Sequence, residues 1–404
     1  MKVLLVHGRY RSVAPSGENH VVDQEAAALS AAGHQVELFQ RHSDEIGEWS
    51  LARKAALPAR SLWNGEVRRD LARVLETSRP DVVHVHNTFP LLSPSVLHAC
   101  RDAGVPVVAT LHNYKLLCAS GDFFRDGQPC HDCAGGHAAS ALQHGCYRGS
   151  RVATTPVVAG MALHRSSWRE LVSAFVFISE SQRGLMRDLR LPEDRVFVKH
   201  NFVPPVTVPR TRPEHLVVYL GRLDAAKGVP FLMRAWDVFR ARHPDSPLRL
   251  VVAGGGPLER DVRAWGSRHP SVEVVGLLPP GEAASLLRLG LVAVVPSQWE
   301  ETFGLVAVEA MAAGVAPVAP ARGSFPELVT DGVDGALFAP GDPSALARVL
   351  HDADVHPEKY VSMGSRGCTT YEERFGTGAN VAQLLDIYRF AISNPTGGRR
   401  VVVP

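Results

Sequence analysis

Val292–Gly314 reads VAVVPSQWEETFGLVAVEAMAAG: a β-branched run, a polar loop and an apolar helical pattern in direct succession. Val292–Val295 has no polar residue alternating with its apolar ones, so it reads as a strand buried on both faces. The loop Pro296–Glu300 follows, and Leu305–Ala313 then reads as a helix. Gly304 at the junction lets backbone amides face a ligand, and the new helix N-terminus turns its positive end toward negative charge. Glu301 lies just before that terminus. Glu309 lies about one turn inside the helix, where a carboxylate can accept from a sugar's vicinal hydroxyls. Taken alone, the segment also reads as an ordinary amphipathic helix with two solvated glutamates.

The same alternation repeats along the 404-residue chain. Toward the N-terminus, Lys2–Val6, Gln35–Phe39, Val82–His86, Val105–Leu111, Ala174–Ile178 and Val196–Lys199 read as strands. Helical patterns at Glu18–Ala32, Glu66–Thr77 and Pro94–Ala103 separate several of them. This implies βαβ units and a parallel sheet with helices on both faces. The proline-rich stretch from Asn201 to Pro213 breaks the pattern and reads as an interdomain linker. Beyond it come strands Leu216–Leu220, Leu248–Ala253, Val272–Val275 and Ala316–Ala319, with helices Val229–Arg242 and Leu258–His269. The expected organisation is an α/β protein of two domains, residues 1–204 and 205–379, followed by residues 380–404. A cysteine-rich insertion spans 115–150. The last helical pattern, Asn380–Ile392, fits either domain, and the tail beyond it reads as frayed.

Forty-three Lys+Arg against 41 Asp+Glu leave a net charge of +2, too balanced for nucleic acid as the main partner. No apolar run reaches the roughly 18–20 residues of a membrane span. The apolar start at Met1–Val6 is too short for a signal-sequence core, so a cytoplasmic protein is expected. In Arg53–Arg73, six cations (Arg53, Lys54, Arg60, Arg68, Arg69 and Arg73) face Glu66 and Asp70. This stretch reads as a solvated helix face, or as a peripheral docking surface for an anionic membrane or lipid-linked acceptor.

Strand Leu216–Leu220 runs into Gly221–Gly228, GRLDAAKG. Arg222 and Lys227 thus stand at the carboxyl end of a sheet strand, where open α/β sheets bind ligands. Arginine can fork onto phosphate oxygens and lysine adds a point charge; two solvated loop cations are the alternative. The next strand ends in Gly254, Gly255 and Gly256, which permit close backbone approach to a ligand or simply a tight turn.

Glu301–Glu309 resembles the E-x7-E motif of retaining GT-B glycosyltransferases, family four of the sequence-based classification. The G-R-x4-K element, the glycine triplet and the continuation Ala310–Gly314 agree with it, and the resemblance covers essentially the whole chain. His200-Asn201-Phe202 departs from it, since the family usually has Gly after the Asn. The resemblance implies a GT-B fold, two Rossmann-like domains facing across a cleft, with the donor on the C-terminal one and the acceptor on the N-terminal one. It places Arg222 and Lys227 on the diphosphate, Glu309 on the ribose and Glu301 on the donor sugar. Backbone groups of Phe303, Gly304, Leu305 and Val306 would touch sugar and phosphate. Gly254, Gly255 and Leu277 would line the nucleotide. His112, ending strand Val105–Leu111, would point at the transferred sugar. Gly17, in the loop Pro15–Glu18, would approach the donor phosphate; Asn87, Asn113 and Tyr114 would edge the acceptor. His84 and His86, on a strand, read as core. The donor would be a UDP- or GDP-linked sugar, with no catalytic cofactor.

Cys118, Cys130, Cys133 and Cys146 cluster within one segment, with a C-x2-C at their centre. They read as a structural zinc site, as free thiols, or as a disulfide, and His131, His137 and His144 are substitute ligands. Gly121–Gly127 carries a hairpin turn signal. Asp352 and Asp354 satisfy D-x-D formally, but lie at the end of a helical pattern and read as structural. The rival readings are a GT-B sugar-nucleotide epimerase or phosphorylase, or a noncatalytic sugar-nucleotide-binding or zinc-dependent scaffold.

Overall fold

The computed structural model describes residues 1–12, 16–206 and 213–396. Pro15, residues 207–212 of the expected linker and the end of the tail lie outside them. The chain forms two units, one of residues Met1–Phe123, Cys130–His200 and Asn380–Pro404, the other of Phe124–Pro129 and Asn201–Ala379.

The first unit is built on six parallel strands: β1 (Lys2–Arg9), β2 (Gln35–His42), β3 (Val82–Asn87), β4 (Val107–Leu111), β7 (Ala174–Phe177) and β8 (Val196–Val198). Their order is β2-β1-β3-β4-β7-β8. The short antiparallel hairpin β5 (Phe124–Arg125) and β6 (Gln128–Pro129) interrupts the numbering. Its turn is Asp126-Gly127, both with positive φ (53° and 83°), the backbone that Asp-Gly favours in a two-residue hairpin.

Strand alternation sorts the core into two layers. Val83 and Val85 pack with Val67, Leu71 and Leu75 of the helix Gly65–Ser78. That helix begins where Asn64 accepts from Val67 N at 3.2 Å, satisfying an otherwise orphaned amide. On the other face, Val3, Leu5, Val82, Val108 and Val176 pack with Leu29 of the helix Gly17–Ala31. Val381, Leu384, Ile387, Tyr388 and Ala391 of the last helix, Thr377–Ser393, complete this layer. The first unit's core therefore includes residues nearly two hundred positions beyond its last strand.

The second unit repeats the plan with β9 (Leu216–Leu220), β10 (Arg249–Ala253), β11 (Val272–Gly276), β12 (Val292–Val294), β13 (Ala316–Pro320) and β14 (Ala336–Phe338), all parallel, in the order β11-β10-β9-β12-β13-β14. Trp236, Phe239 and Phe231 of the helix Val229–Arg242 fill its core. β14 and the helices Pro280–Leu289 and Pro357–Arg374 are elements that periodicity alone did not mark out.

Both sheets have a topological switch point. β1 lies between β2 and β3, and β9 lies between β10 and β12, so the chain leaves these central strands toward opposite edges. Loops diverge there at the carboxyl ends and open a crevice.

Candidate functional site

In the second unit, the switch-point loops carry most of the donor residues expected from sequence. Asp224 shapes the loop after β9: its carboxylate accepts from Lys227 N at 2.8 Å and from Arg222 Nε. The Arg222 side chain is half exposed and Lys227 about a third. Lys227 Nζ reaches both carboxylate oxygens of Glu301 at 3.0 Å and lies over the Trp299 ring, 5.1 Å from its centroid. Glu301 Oε2 also accepts from Ser297 Oγ and Trp299 Nε1, each at 2.8 Å. The loops after β9 and β12 are thus tied by one charged, nearly buried carboxylate. A cation fixed in this way is preorganised for a second anion.

Gly254 follows β10, where a Cβ would lie 1.8 Å from the Gly221 carbonyl oxygen. Only glycine permits that backbone approach. Gly255 stands beside Leu277, which is 63% exposed after β11. Gly304 adopts φ +95° and opens the helix Leu305–Ala312, whose first amides have no intrahelical acceptor. The Phe303 side chain is buried against Phe375, and its carbonyl accepts from Ser324 Oγ at 2.5 Å. Glu309 is partly buried, and burial raises its carboxyl above the ordinary range. A hydroxyl pair is a suitable partner for such a group.

In the first unit, Gly17 is the exposed first residue of its helix. Beside it, Glu18 accepts from Tyr10 OH at 3.1 Å and Asn113 Nδ2 at 3.3 Å, and burial pushes its carboxyl up to about 8. His112, one residue past β4, is 8% exposed, and burial holds its ring down to about 3, so it is neutral near pH 7. His112 Nε2 and His86 Nδ1 are 2.9 Å apart. Asn87 is engaged within the fold, donating to Gly8 O at 2.8 Å and accepting from Phe89 N at 2.9 Å. Tyr114 corrects the sequence reading: it is fully buried against Phe123 and belongs to the core rather than to an acceptor edge.

Beneath His112 lies a group of buried polar residues that sequence reasoning took for plain core or passed over. Glu25 Oε1 is 3.0 Å from His84 Nδ1 and 3.5 Å from His86 Nε2, and Lys199 Nζ is 3.6 Å from Oε2. The available signal was a carboxylate on the apolar stripe Val21, Val22, Glu25, Leu29. Among the described residues, Glu25, His84 and His86 form the one set of metal-type donors within 4.8 Å of one another. Lys199 already supplies the counter-charge, so a buried dication there would leave positive charge uncompensated.

Among the described residues, no three of the four clustered cysteine sulfurs lie within 4.8 Å of one another. They are neighbours nonetheless: burial, then Cys118 and Cys146, push the Cys133 thiol up to about 11. Asp352 sits in the helix Pro343–Val355 and binds Lys359 and Tyr360, a structural role. In the basic stretch, Arg53 and Arg60 pair with Glu66 and stack on Trp49, and Arg68 pairs with Asp102. Much of that charge is therefore neutralised locally. No helix among the described residues is long and apolar enough to cross a membrane.

Two six-stranded parallel sheets, each with ligand-type residues at its switch point, define a GT-B protein. A model described as Glycosyl transferase 4-like domain matches residues 16–201, and one described as Glycosyl transferases group 1 matches residues 214–353. This chain belongs to the family-four-like glycosyltransferases of the GT-B fold. It is 28% identical over 415 aligned positions to the D-inositol 3-phosphate glycosyltransferase of Streptosporangium roseum, covering 94% of this chain and 89% of the relative. The protein of the same name from Corynebacterium kroppenstedtii is 32% identical, over 44% of this chain and 41% of the relative. The chain thus spans less than half of that relative's length. In solved structures, Anabaena HepE in complex with UDP and glucose superposes with a TM-score of 0.66, at 18% identity, covering 96% of this chain and 98% of that one. Sucrose-phosphate synthase from Thermosynechococcus elongatus superposes with a TM-score of 0.69, also at 18% identity and over the same shares of each chain. At such identity the likeness concerns the fold.

Proposed function

We propose that this protein transfers a sugar from a nucleoside-diphosphate sugar, of UDP or GDP type, to an acceptor hydroxyl with retention of anomeric configuration. The observation that carries the proposal is the contact of Lys227 with Glu301 at 3.0 Å, which ties the loop bearing Arg222 to the loop after β12 at the switch point of the second sheet. Arg222 and Lys227 hold the diphosphate and stabilise the negative charge that grows on it as the bond to the anomeric carbon breaks. The amides at Gly304, Leu305 and Val306 add donors, Glu309 takes the ribose hydroxyls, and Glu301 accepts from the donor sugar. Gly254 and Gly255 let the nucleotide approach the backbone, with Leu277 against the base. In the first unit, neutral His112 hydrogen-bonds a hydroxyl of the transferred sugar, and Gly17 and Asn113 stand near the reacting groups.

The acceptor oxygen bonds to the anomeric carbon on the face the phosphate leaves, and its proton passes to a departing phosphate oxygen. This path uses no covalent nucleophile and no metal ion. That Anabaena HepE was solved with UDP and glucose, and that relatives are named D-inositol 3-phosphate glycosyltransferases, supports a UDP sugar and makes an inositol phosphate one acceptor to include in a screen.

The test is to incubate the protein with a panel of nucleotide sugars, with and without hydroxylic acceptors, and to follow release of nucleoside diphosphate. Proton NMR of the product then gives its anomeric configuration. Release with retention is expected; inversion, or turnover of none of the panel, overturns the proposal.

A further inference from the structure

His112 can meet a sugar hydroxyl in two ways. With the proton on Nε2, its Nδ1 accepts a hydrogen bond; with the proton on Nδ1, it donates one. Its surroundings select between these. His112 Nε2 faces His86 Nδ1 at 2.9 Å, so one of the two must carry the proton and the other must not. Which of them does so depends on the far nitrogen of His86. His86 Nε2 is buried without a hydrogen-bond partner, 3.5 Å from a carboxylate oxygen, Glu25 Oε1.

Glu25 is a carboxylate in an environment built to keep it charged. Burial alone would raise its carboxyl, but His84 and Lys199 outweigh that and hold it down to about 2. Lys199 is itself fixed by Asn380, whose Oδ1 accepts at 2.7 Å. His84 Nδ1 is shared between Glu25 Oε1 at 3.0 Å and Tyr388 OH at 2.8 Å, while its Nε2 lies 2.7 Å from Thr110 Oγ1. An ionised carboxylate can only accept. It therefore favours the proton on His86 Nε2, which leaves His86 Nδ1 with a lone pair and draws the His112 proton to Nε2.

We propose that Glu25 is a positioning residue which, through His86, sets the tautomer of His112 so that His112 Nδ1 accepts a hydrogen bond from the donor sugar. The inference rests on the proposed role of His112, but the tautomer itself does not depend on that role. The last helix contributes as well: Tyr388 and Asn380 fix two of the groups around Glu25, so this support is assembled from both ends of the chain.

The test is 15N NMR of the protein labelled at its histidines, with His112 assigned by loss of its signals in His112→Ala. Wild type should show His112 protonated at Nε2. Glu25→Gln, nearly isosteric and able to donate to His86 Nε2, should shift the population toward Nδ1–H. In the enzyme assay it should lower kcat on the order of tenfold, the scale of lost outer-shell support, with donor KM within about twofold. Glu25→Asp should restore part of the loss. Combined with His112→Ala, Glu25→Gln should lower kcat no further, since residues acting as one unit are not additive. His86→Gln, which breaks the relay at another point, covers the case in which Glu25→Gln folds poorly. An unchanged His112 tautomer in both variants overturns the proposal, as does an equal fall in kcat on the His112→Ala background. So does a stoichiometric divalent metal that wild type retains and Glu25→Gln loses. If the tautomer shifts while no sugar nucleotide is turned over, the inference stands and the proposed function fails.

Discussion

Glu18 shows how one side chain responds to its surroundings. Beside Tyr10 and Asn113, with Lys115 further off, its carboxyl is pushed up to about 8 by burial. An acid with a raised folded pKa holds its proton in the folded state while the unfolded chain has lost it. Between about pH 4.5 and 8 the folded state therefore binds more protons, and Glu18 makes stability fall as pH rises, by at most about 1.4 kcal/mol per pH unit. Glu18→Gln should flatten that slope in urea melts from pH 5 to 8; an unaltered slope would refute the assignment. Glu25 acts in a separate window, since its lowered carboxyl favours the folded state above about pH 4.5 and loses that contribution as pH falls toward about 2. At the donor site, Arg222→Ala and Lys227→Ala should each weaken nucleoside-diphosphate binding by about 1.5–3 kcal/mol, the range for charge-assisted hydrogen bonds, readable by calorimetry. Both cations were legible from their place after a strand. Tyr114 was misplaced because His112, two residues before it, stands at the carboxyl edge of the sheet just past β4, whereas the chain turns Tyr114 back onto Phe123. Two positions separate the sheet edge from the core.

At the scale of elements, the loops after β9 and β10 meet backbone to backbone, with Leu223 N donating to Gly255 O at 3.0 Å. Gly254→Ala places a Cβ 1.8 Å from Gly221 O, so the loop bearing Arg222 must move. The variant should lose nucleotide affinity at least tenfold while its far-UV spectrum stays native; unchanged affinity would mean that this close approach does not hold the site. Most strands were legible because both sheets are buried on two faces and their strands read as continuous apolar runs; the longest helix, Pro357–Arg374, was not. β14 is three residues long like β8 and β12, but its Ala-Leu-Phe has none of the β-branched residues that marked those two. The Glu25 group was hidden for a different reason: it joins one helix, two strands and the last helix, and no local period brings those residues together.

For the whole molecule, the consequential feature is the return of the last helix to the first unit's core. Leu384, Ile387, Tyr388 and Ala391 are almost fully buried there. A fragment ending near residue 205 would expose that apolar face and leave Lys199 without Asn380. It should be aggregated or molten by near-UV circular dichroism, whereas the same fragment joined by a flexible linker to residues 377–396 should recover a cooperative melt. A native-like melt for the short fragment would contradict this dependence. The two-unit plan was visible in the restart of the strand pattern beyond the proline-rich stretch. For the last helix, a return to the first domain was one of two options that the sequence left open, since its amphipathic face fits either sheet until three-dimensional contacts choose.

The central claim is that Arg222 and Lys227 form the phosphate-binding part of a nucleotide-sugar site. Calorimetric titration of the purified protein with UDP, GDP and ADP, repeated on Arg222→Ala and Lys227→Ala, tests it most directly. One nucleoside diphosphate should bind wild type, and each substitution should weaken it by about tenfold or more. Binding that is unchanged in both variants, or absent for every nucleotide in wild type, would contradict the account.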